Sequence, residues 1–395
     1  MIDVLMAQLG NGDWTSTLLW ILIFMVFIFF GPRLMVTQTI WKLERDVARF
    51  EDMATKAKSI VVKRVSARPS KELKTNIGNF MDFFAIPPVA TDPYGVIKKI
   101  DLVVKQSDQR FRYFVKQIAP RMSKNEQADL KNALAGAMTT HQIAKIVRHY
   151  LELIKKYKIF QLAILLQMQI PLIERLAKAA LGATQAFADE MPIGDGIGPL
   201  VVASMIPAKA RVKVYEEEEV AVARTKIAGR KVWIAKASGP GAKTSYPGKF
   251  LKKFIKRNRI NRIITVDAAL RLEGEKAGSV AEGVGIAMGG VGVERYEIEE
   301  IAVAKNLPID AVAIKVNEEE ALNAMVKEVV DAVPNAVELV DRAVRRAGKR
   351  ESILIFGVGN TCGVGNNAKA AKEAEAKIRK YIKKKEKEKE KKKKK

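Results

Sequence analysis

The sequence predicts a three-layer α/β domain with a mostly parallel sheet, preceded by an all-α region and one N-terminal transmembrane helix. Three observations predict this class. Residues 17–30 form an uncharged apolar run, and residues 71–185 carry apolar residues at helical spacing. From about residue 186 onward, short apolar strands alternate with amphipathic helices. That alternation is typical of a parallel sheet with helices on both faces.

The composition excludes several functional classes. The chain has 395 residues, enough for two or three domains, and its net charge of +25 favours anionic partners. It contains one cysteine, Cys362, and two histidines, His141 and His149. Disulfide scaffolds, cysteine-based zinc sites and histidine-rich metal centres are therefore excluded within one chain. The sequence has no zinc-finger, helix-turn-helix or RNA-binding aromatic signature, so we expect no metal, no cofactor and no specific reading of nucleic acid.

The apolar run is predicted to anchor the chain in the cell membrane. With its flanks, segment 14–35 reaches about 20 residues, which is enough to cross a bilayer once. Lys and Arg are absent before Arg33 and frequent from Lys42 onward. The positive-inside rule therefore places residues 1–13 outside and the bulk of the chain in the cytoplasm. A cleaved signal peptide is the alternative, but the run lacks a basic leading region and a small-residue cleavage site.

Residues 36–70 are predicted to form a juxtamembrane helix or stalk. Apolar residues recur there at alternating spacings of three and four, as in a coiled coil. They are Ile40, Leu43, Val47, Phe50, Ala54, Ala57 and Val61. One interpretation is a short coiled coil that joins subunits into a homo-oligomer. The other, which the two alanines favour, is a helix that packs on its own helical domain. Pro69 is predicted to end this helix.

Residues 71–185 are predicted to form a helical domain. Apolar periodicity predicts helices over 101–117, 124–134 and 139–157. The stretch 159–173 is strongly apolar but short, and it contains three glutamines and one proline. We therefore predict a buried helix at a domain junction there, in preference to a second membrane span.

Two cap signals and two histidines lie in this helical domain. Ser123 and Glu126 have the spacing of a capping box, and Thr140 is a candidate cap for the helix that follows it. His141 and His149 are about two helical turns apart, too far to share a metal ion directly. We expect both to be partly exposed helix residues.

Residues 186–367 are predicted to form the α/β domain. Because short strands alternate with helices, the sheet should be largely parallel with helices on both faces. Strands are predicted at 211–215, 220–226, 231–237, 262–267, 311–316 and 352–356. Helices are predicted at 198–205, 246–257, 295–305, 318–332 and 335–347.

Glycine-rich loops follow three of the predicted strands. Such loops let backbone N–H groups approach an anion or a substrate backbone closely. The spacing to Lys243 is too short for a Walker motif. The candidate residues of a substrate or oxyanion loop are Gly239, Gly241, Lys243, Thr244, Gly289, Gly290 and Gly292. Those of the last loop are Gly357, Gly359 and Asn360.

Two aspartates are the candidate catalytic residues. Asp195 lies in the segment Gly-Asp-Gly-Ile-Gly-Pro, and Asp267 ends the apolar run 263–266. Carboxylates at the carboxyl ends of strands face the crevice where ligands bind. A pair held close together can share a proton and perform acid–base chemistry. Asp195 is the candidate base, because a helix N-terminus favours its charged form, and Asp267 is the candidate acid.

Five short motifs follow one another in residues 190–317. They are Asp-Gly-Ile-Gly-Pro-Leu (195–200), Gly-Pro-Gly-Ala-Lys-Thr (239–244), Ile-Ile-Thr-Val-Asp-Ala-Ala-Leu (263–270), Gly-Ile-Ala-Met-Gly-Gly-Val-Gly (285–292) and Leu-Pro-Ile-Asp-Ala-Val-Ala-Ile (307–314). This order resembles that of the spore germination endopeptidases and, more distantly, of the hydrogenase maturation proteases. The resemblance implies a protease-like α/β fold in which Asp195 and Asp267 carry the activity. The whole chain resembles an archaeal family of uncharacterised membrane proteins with a domain of unknown function.

Three features depart from the pattern of those proteases. The maturation proteases complete a metal site with a histidine, and no histidine follows His149. Their Gly-x-Gly-Asn motif precedes the first acidic residue, whereas here it lies at 357–360, as a permuted strand order would explain. An anchor and a helical domain replace the N-terminal regions of those proteins.

The tail, residues 368–395, is predicted to be basic and either helical or disordered. Residues 383–395 hold ten lysines and three glutamates. One interpretation is a surface that binds anionic lipid or ribosomal RNA, and the other is a solvated, solubilising tail.

These observations predict a membrane-anchored cytoplasmic protein. The leading hypothesis is a peptidase-like hydrolase that acts on a protein or peptide through its paired aspartates. The alternative is a non-enzymatic domain that binds a ligand or protein and tethers it at the membrane.

Overall fold

Helices form the first half of the chain in the computed structural model, which describes residues 14–88, 95–287 and 292–393. The predicted all-α region is confirmed. Its helices are α1 (Trp14–Val65), α2 (Lys71–Phe80), α3 (Val96–Ile118), α4 (Lys124–Tyr157) and α5 (Phe160–Ala188).

The apolar stripe of α1 packs inside the chain itself. All of its seven residues are at most 8% exposed. They meet buried residues of α4 and α5, among them Val147, Leu151 and Leu166. This helix therefore packs on its own helical domain, as the second interpretation of the stripe predicts. A homo-oligomer stays a prediction.

The predicted transmembrane helix, residues 14–35, is not a separate helix. It is the first part of α1, which joins the apolar run to the charged residues beyond Arg33 and continues to Val65. In the ranges that the structure describes, no helix has the length and apolarity needed to cross a bilayer. The single membrane span is therefore not supported. The predicted extracytoplasmic residues 1–13 lie outside the described ranges.

The helical domain has longer helices than its sequence predicts. The segments 124–134 and 139–157 belong to one helix, α4, which begins with the predicted capping box. Ser123 Oγ accepts from the Glu126 N–H at 3.3 Å, and the Glu126 carboxylate accepts from the Ser123 N–H at 2.8 Å. Thr140 is not a cap, because it lies inside α4 and donates to the Gly136 carbonyl oxygen at 3.0 Å.

Stretch 159–173 forms the first half of α5 and is amphipathic. Ala163 and Ile170 are buried against α1 and α4, while Leu165 and Met168 are exposed. The prediction of a fully buried helix is therefore only half correct. His141 lies on the surface of α4 with its Nε2 3.1 Å from an Asp82 carboxylate oxygen, and His149 is exposed.

The second half of the chain forms a seven-stranded sheet in the order β1-β2-β3-β7-β4-β6-β5. The strands are β1 (Val212–Tyr215), β2 (Val220–Ile227), β3 (Arg230–Ala237), β4 (Arg262–Leu270), β5 (Val280–Val284), β6 (Ile309–Val316) and β7 (Ser352–Gly357). The four central strands are parallel, whereas β1, β2 and β5 pair antiparallel at the edges. The sheet is therefore mixed rather than mostly parallel. A two-residue turn through Ala228 and Gly229, both with positive φ, forces β2 and β3 into a hairpin.

Helices cover both faces of the sheet, so the predicted three layers are present. They are α6 (Ile197–Ser204), α7 (Pro247–Arg257), α8 (Val293–Lys305), α9 (Glu318–Leu322), α10 (Lys327–Val330), α11 (Val333–Arg346) and α12 (Ala368–Lys393). One core packs α6, α11 and α12 on one face, and the other packs α7 and α8 on the opposite face. The predicted helix 318–332 is two short helices, because Ala324 leaves the helical path to bridge Ile193. The strand β5 was not predicted.

Candidate functional site

The crevice of the sheet opens where β7 leaves β4. The pairing of these strands ends at Val266 and Gly357, and the Val358 N–H makes a last bond to the Val266 carbonyl oxygen at 2.8 Å. Beyond this point β4 pairs only with β6, as far as Leu270. Asp267 is the first residue of β4 past the divergence, and it is 4% exposed. Its carboxylate accepts from the N–H of Ala268 at 2.7 Å.

Asp195 reaches the same crevice from a 3₁₀ turn, Gly194–Gly196, that precedes α6. Its Oδ2 accepts from the Asn360 N–H, in the loop after β7, at 2.8 Å. Two glycines allow this close approach. A Cβ at Gly198 would collide with the carbonyl oxygens of Val266 and Val358, and a Cβ at Gly359 would collide with that of Asp195. Gly359 also has a φ of +125°, which favours glycine.

The two carboxyl groups have unequal acidities. Burial raises the pKa of Asp195, against the Asn360 N–H that stabilises its charge. Burial raises the pKa of Asp267 well above its ordinary value, and the charge of Asp195 raises it further. Because two like charges cannot readily coexist in one site, the charge of Asp195 adds to burial in raising the pKa of Asp267.

Both aspartates line one cavity of about 510 Å³. Its floor is the carboxyl edge of β4 and β6, with Ala268 and Val316 among the lining residues. Its roof includes Asp101, Val104 and Lys105 of α3, which belongs to the helical domain. Lys105 is paired with Asp101 one turn earlier. The site is therefore built by both halves of the chain.

Glu294 is a half-buried carboxyl group that also lines this cavity, and the sequence reasoning missed it. It lies in the first turn of α8 and accepts from the Gly248 N–H at 2.7 Å. Burial, then the charge of Glu297, raise the pKa of Glu294 to about 7. Its signal in the sequence is an acidic residue two positions after Gly292, at the start of a helix.

The structure brings only some of the predicted loop residues to the cavity. Thr244, Gly292 and Gly359 line it beside the aspartates, and Asn360 holds Asp195 through its N–H. Gly239, Gly241, Lys243 and Gly357 do not line it. Gly289 and Gly290 lie outside the described residues.

The first glycine-rich loop uses its N–H groups within the protein. The Gly239 N–H donates to Asn366 Oδ1 at 2.9 Å, and the Ala242 N–H donates to Asp129 Oδ1 at 2.7 Å. The Lys243 Nζ lies 3.4 Å from the Ser238 hydroxyl. These contacts hold the loop against α4 and the loop after β7. Among the described residues, no group of three or more His, Cys, Asp or Glu could hold a metal ion.

Asp129 is a buried carboxyl group that joins the two halves of the chain. It lies on α4, is 3% exposed, and binds the Ala242 N–H of the α/β domain. Burial raises the pKa of Asp129 to about 6, against the hydrogen bonds that it accepts from Ala242 and from the Cys362 thiol. The sequence offers no signal for it, because nothing marks one aspartate of an amphipathic helix as buried.

Asp129→Asn is expected to remove part of the pH dependence of stability. A carboxyl group whose pKa rises on folding destabilises the folded state when it is ionised. Its unfavourable contribution to the free energy of folding is therefore smallest below pH 3.8, the pKa of this group in the unfolded chain. Stability falls as pH rises through about 6. A shift of this size corresponds to about 3 kcal/mol. Relative to wild type, the variant should therefore gain about 2 kcal/mol between about pH 4 and about pH 7, because part of the difference is already present at the lower pH.

Urea unfolding at both pH values checks this expectation. Asp52→Asn is the matched control, because Asp52 is an exposed aspartate of α1 in an i,i+4 pair with Lys56. A constant free-energy difference between Asp129→Asn and wild type at the two pH values would contradict the buried, titrating carboxyl group.

The fold and the site define a class of protein. It has a helical domain followed by a mixed α/β domain with a pair of aspartates in one cavity at the carboxyl edge of its sheet. The chain belongs to the DUF1512 family. Residues 17–190 match the model described as "Protein of unknown function (DUF1512) N-terminal domain", and residues 193–365 match "Domain of unknown function (DUF1512) C-terminal". The boundary between the two falls just before the Asp195 turn. A search of curated proteins gives no match.

Proposed function

We propose that this protein is a hydrolase that cleaves peptide bonds, with Asp195 as the general base and Asp267 as the general acid. The observation that carries the proposal is the pair of carboxyl groups in one cavity with unequal acidities. Pairs whose environments push their pKa values apart are typical of acid–base catalysis.

The proposed reaction needs only a water molecule and the two side chains. The ionised Asp195 takes a proton from the water as its oxygen attacks the carbonyl carbon of the substrate. The protonated Asp267 gives its proton to the carbonyl oxygen. Collapse of the resulting gem-diol breaks the C–N bond: the proton held by Asp195 passes to the leaving amine, and one gem-diol hydroxyl returns its proton to Asp267 as the carboxylic acid product forms.

The cavity supports a peptide as the substrate. Its volume of about 510 Å³ suits a few residues of an extended chain. Apolar side chains line it beside the acids, among them Val104, Ala269 and Val293, and can contact the side chains of a substrate. The resemblance of residues 190–317 to the germination endopeptidases supports the same reaction class.

The turnover of denatured, fluorescently labelled casein is expected to have a bell-shaped pH profile. At low pH both aspartates are protonated and no base remains, and at high pH both are ionised and no acid remains. The acidic limb lies above 3.8, because burial raises the pKa of Asp195 from that value. Initial rates of the full-length chain from about pH 3 to about pH 10 measure the profile.

Heat-denatured protein is the control, because it measures the casein turnover that does not depend on the folded chain. Turnover that rises monotonically with pH, or no turnover at any pH, would count against the aspartate mechanism. Cleavage that is abolished by a chelator would point to a metal instead of the pair.

The tail supports a second, non-enzymatic role. Helix α12 joins the core on one face of the sheet through Ala371, Ala374 and Ile378, and its lysine-rich residues 383–388, 390 and 391 are exposed. Such an end could hold the protein on anionic lipid or ribosomal RNA, with a strongly salt-dependent affinity. This role, the cytoplasmic location and attachment to membrane lipid stay predictions.

A further inference from the structure

Ser245 combines two unusual properties in the wall of the aspartate cavity. It is 8% exposed and belongs to the lining that includes Asp195 and Asp267. Its φ is +63°, in the left-handed region that a side chain with a Cβ rarely adopts. Its buried hydroxyl has no hydrogen-bond partner in the protein.

The left-handed backbone is held in place from both sides. On one side, the Lys243 carbonyl oxygen accepts from the Thr361 N–H at 3.0 Å. On the other, the Tyr246 N–H donates to the Glu218 carbonyl oxygen at 2.9 Å, immediately before α7 begins. Strain of this kind persists where the surrounding structure over-determines it, and it concentrates at functional sites.

The unpartnered hydroxyl is the second, independent observation. A buried hydroxyl group normally finds a partner, since leaving it without one is unfavourable. The other hydroxyl groups of this region follow the rule: Thr361 Oγ1 donates to the Gly241 carbonyl oxygen at 2.8 Å, and Ser238 Oγ lies 3.4 Å from Lys243 Nζ. Ser352 Oγ also lacks a partner, but it lies at the start of β7, away from the cavity.

We propose that Ser245 is a substrate-binding residue of this cavity, and that its hydroxyl donates a hydrogen bond to the carbonyl oxygen of a bound peptide. The inference rests on the proposed function. From the sequence, backbone N–H groups of glycine-rich loops are the candidates for stabilising the carbonyl oxygen. Here a side chain takes that role instead. A rotation about the Cα–Cβ bond of Ser245 brings the hydroxyl to the substrate without any movement of the backbone. The bond strengthens as negative charge develops on that oxygen.

Ser245→Ala tests this role, and Ser238→Ala is the matched control. Both serines are buried in the loop between β3 and α7, but Ser238 has a partner and does not line the cavity. Ser245→Ala is expected to lower kcat for casein about 10- to 100-fold and to raise KM by a smaller factor, because the hydroxyl contacts the bound peptide and the bond strengthens in the transition state. Its Tm should equal or exceed that of wild type, because an unsatisfied hydroxyl is removed. Ser238→Ala should leave kcat unchanged and lower Tm.

Ser245→Gly provides a second variant that also lacks the hydroxyl but relieves the backbone strain. It should be more stable than Ser245→Ala and equally slow, so a folding defect cannot imitate the result. Wild-type kcat in both Ser245 variants, with Asp267→Asn inactive, overturns the inference and leaves the proposed function standing.

The binding of casein separates the two proposals if wild type proves inactive. Fluorescence anisotropy then measures the affinity of labelled casein for the full-length chain. Weaker binding by Ser245→Ala than by Ser238→Ala supports a substrate contact without hydrolysis. Equal binding by both variants, or no binding by wild type, overturns the role of Ser245.

Discussion

Asp267→Asn is expected to lower casein turnover by about 100- to 10,000-fold, the range for loss of a general acid. Asparagine keeps the shape of the side chain and an oxygen that can accept from the Ala268 N–H, so the strand end should be preserved. It cannot give a proton to the carbonyl oxygen of the substrate. The measurement is kcat/KM for the full-length variant beside the wild type.

Asp195→Asn should be as inactive as Asp267→Asn, and the double variant should be little worse than either. Residues that act as one unit lose their joint effect when either is removed. The two single variants should differ from wild type in stability in the same direction, because each removes a carboxyl group whose pKa is raised by burial. Both variants should therefore gain stability relative to wild type as pH rises.

Asp341→Asn is the matched control for the change of aspartate to asparagine. Asp341 lies on α11 and does not line the cavity. Its variant should keep wild-type kcat/KM. Wild-type turnover in Asp195→Asn or Asp267→Asn would falsify the proposed mechanism, and a loss shared by Asp341→Asn would indicate a general effect on folding.

Gly359→Ala is expected to destabilise the protein by about 3 to 5 kcal/mol and to displace Asp195. Two effects add at this position. The φ of +125° strains any residue with a Cβ, and the new methyl group would overlap the carbonyl oxygen of Asp195. Since the overlapping atom belongs to the backbone, no side-chain rotation relieves it. Turnover should fall with stability, because the Asp195 turn must move.

Gly274→Ala separates the two effects. Gly274 has a φ of +93°, and a Cβ there meets no atom within 4 Å. Gly274→Ala should lower the free energy of unfolding by about 1 to 2 kcal/mol through backbone strain alone and leave turnover unchanged. Urea unfolding gives the free energy of unfolding of each variant, and the difference between the two is the part caused by the collision with the Asp195 carbonyl oxygen. Equal destabilisation by the two substitutions would mean that the Asp195 turn does not pack against Gly359 as the structure shows.

The elements of the α/β domain could be predicted because each carries its own periodicity. Six of the strands and most of the helices lie within a few residues of their predicted positions, since apolar spacing and turn residues are local signals. β5 could not be predicted in this way. It reads Val-Ala-Glu-Gly-Val, a short and mostly exposed edge strand whose apolar residues are interrupted by Glu and Gly, and only its pairing with β6 makes it a strand.

The direction of the strands was harder to predict than their positions. Alternation of strands and helices predicts parallel pairing, and the four central strands follow that rule. At the edge formed by β1, β2 and β3, short connections decide the direction, because a two-residue turn can join only antiparallel strands. At the other edge, β5 pairs antiparallel with β6 although helix α8 lies between them in the chain. The apolar run near the N-terminus shows a related limit. Composition predicts a separate membrane span, whereas the structure continues it into the long packed helix α1.

Asp195 and Asp267 could be named from the sequence because each stands beside glycines or at the end of an apolar run. Their meeting could not be derived, since it depends on β7 entering the sheet between β3 and β4. The same applies to Asp129, Ser245 and Glu294. They look like ordinary surface residues in the sequence, and only the packing of other elements buries Asp129 and Ser245 and half-buries Glu294.

The sequence by itself determined the class of the fold, the division into a helical and an α/β half, and the two acidic residues of the candidate site. Those properties depend on local periodicity and on residues next to one another in the chain. Only the tertiary structure decided that the site has a roof from the helical domain, that burial and the charge of Asp195 raise the pKa of Asp267, and that a strained serine lines the cavity. Burial and the field of a neighbouring charge depend on distances through space, and segments far apart in the chain set those distances here.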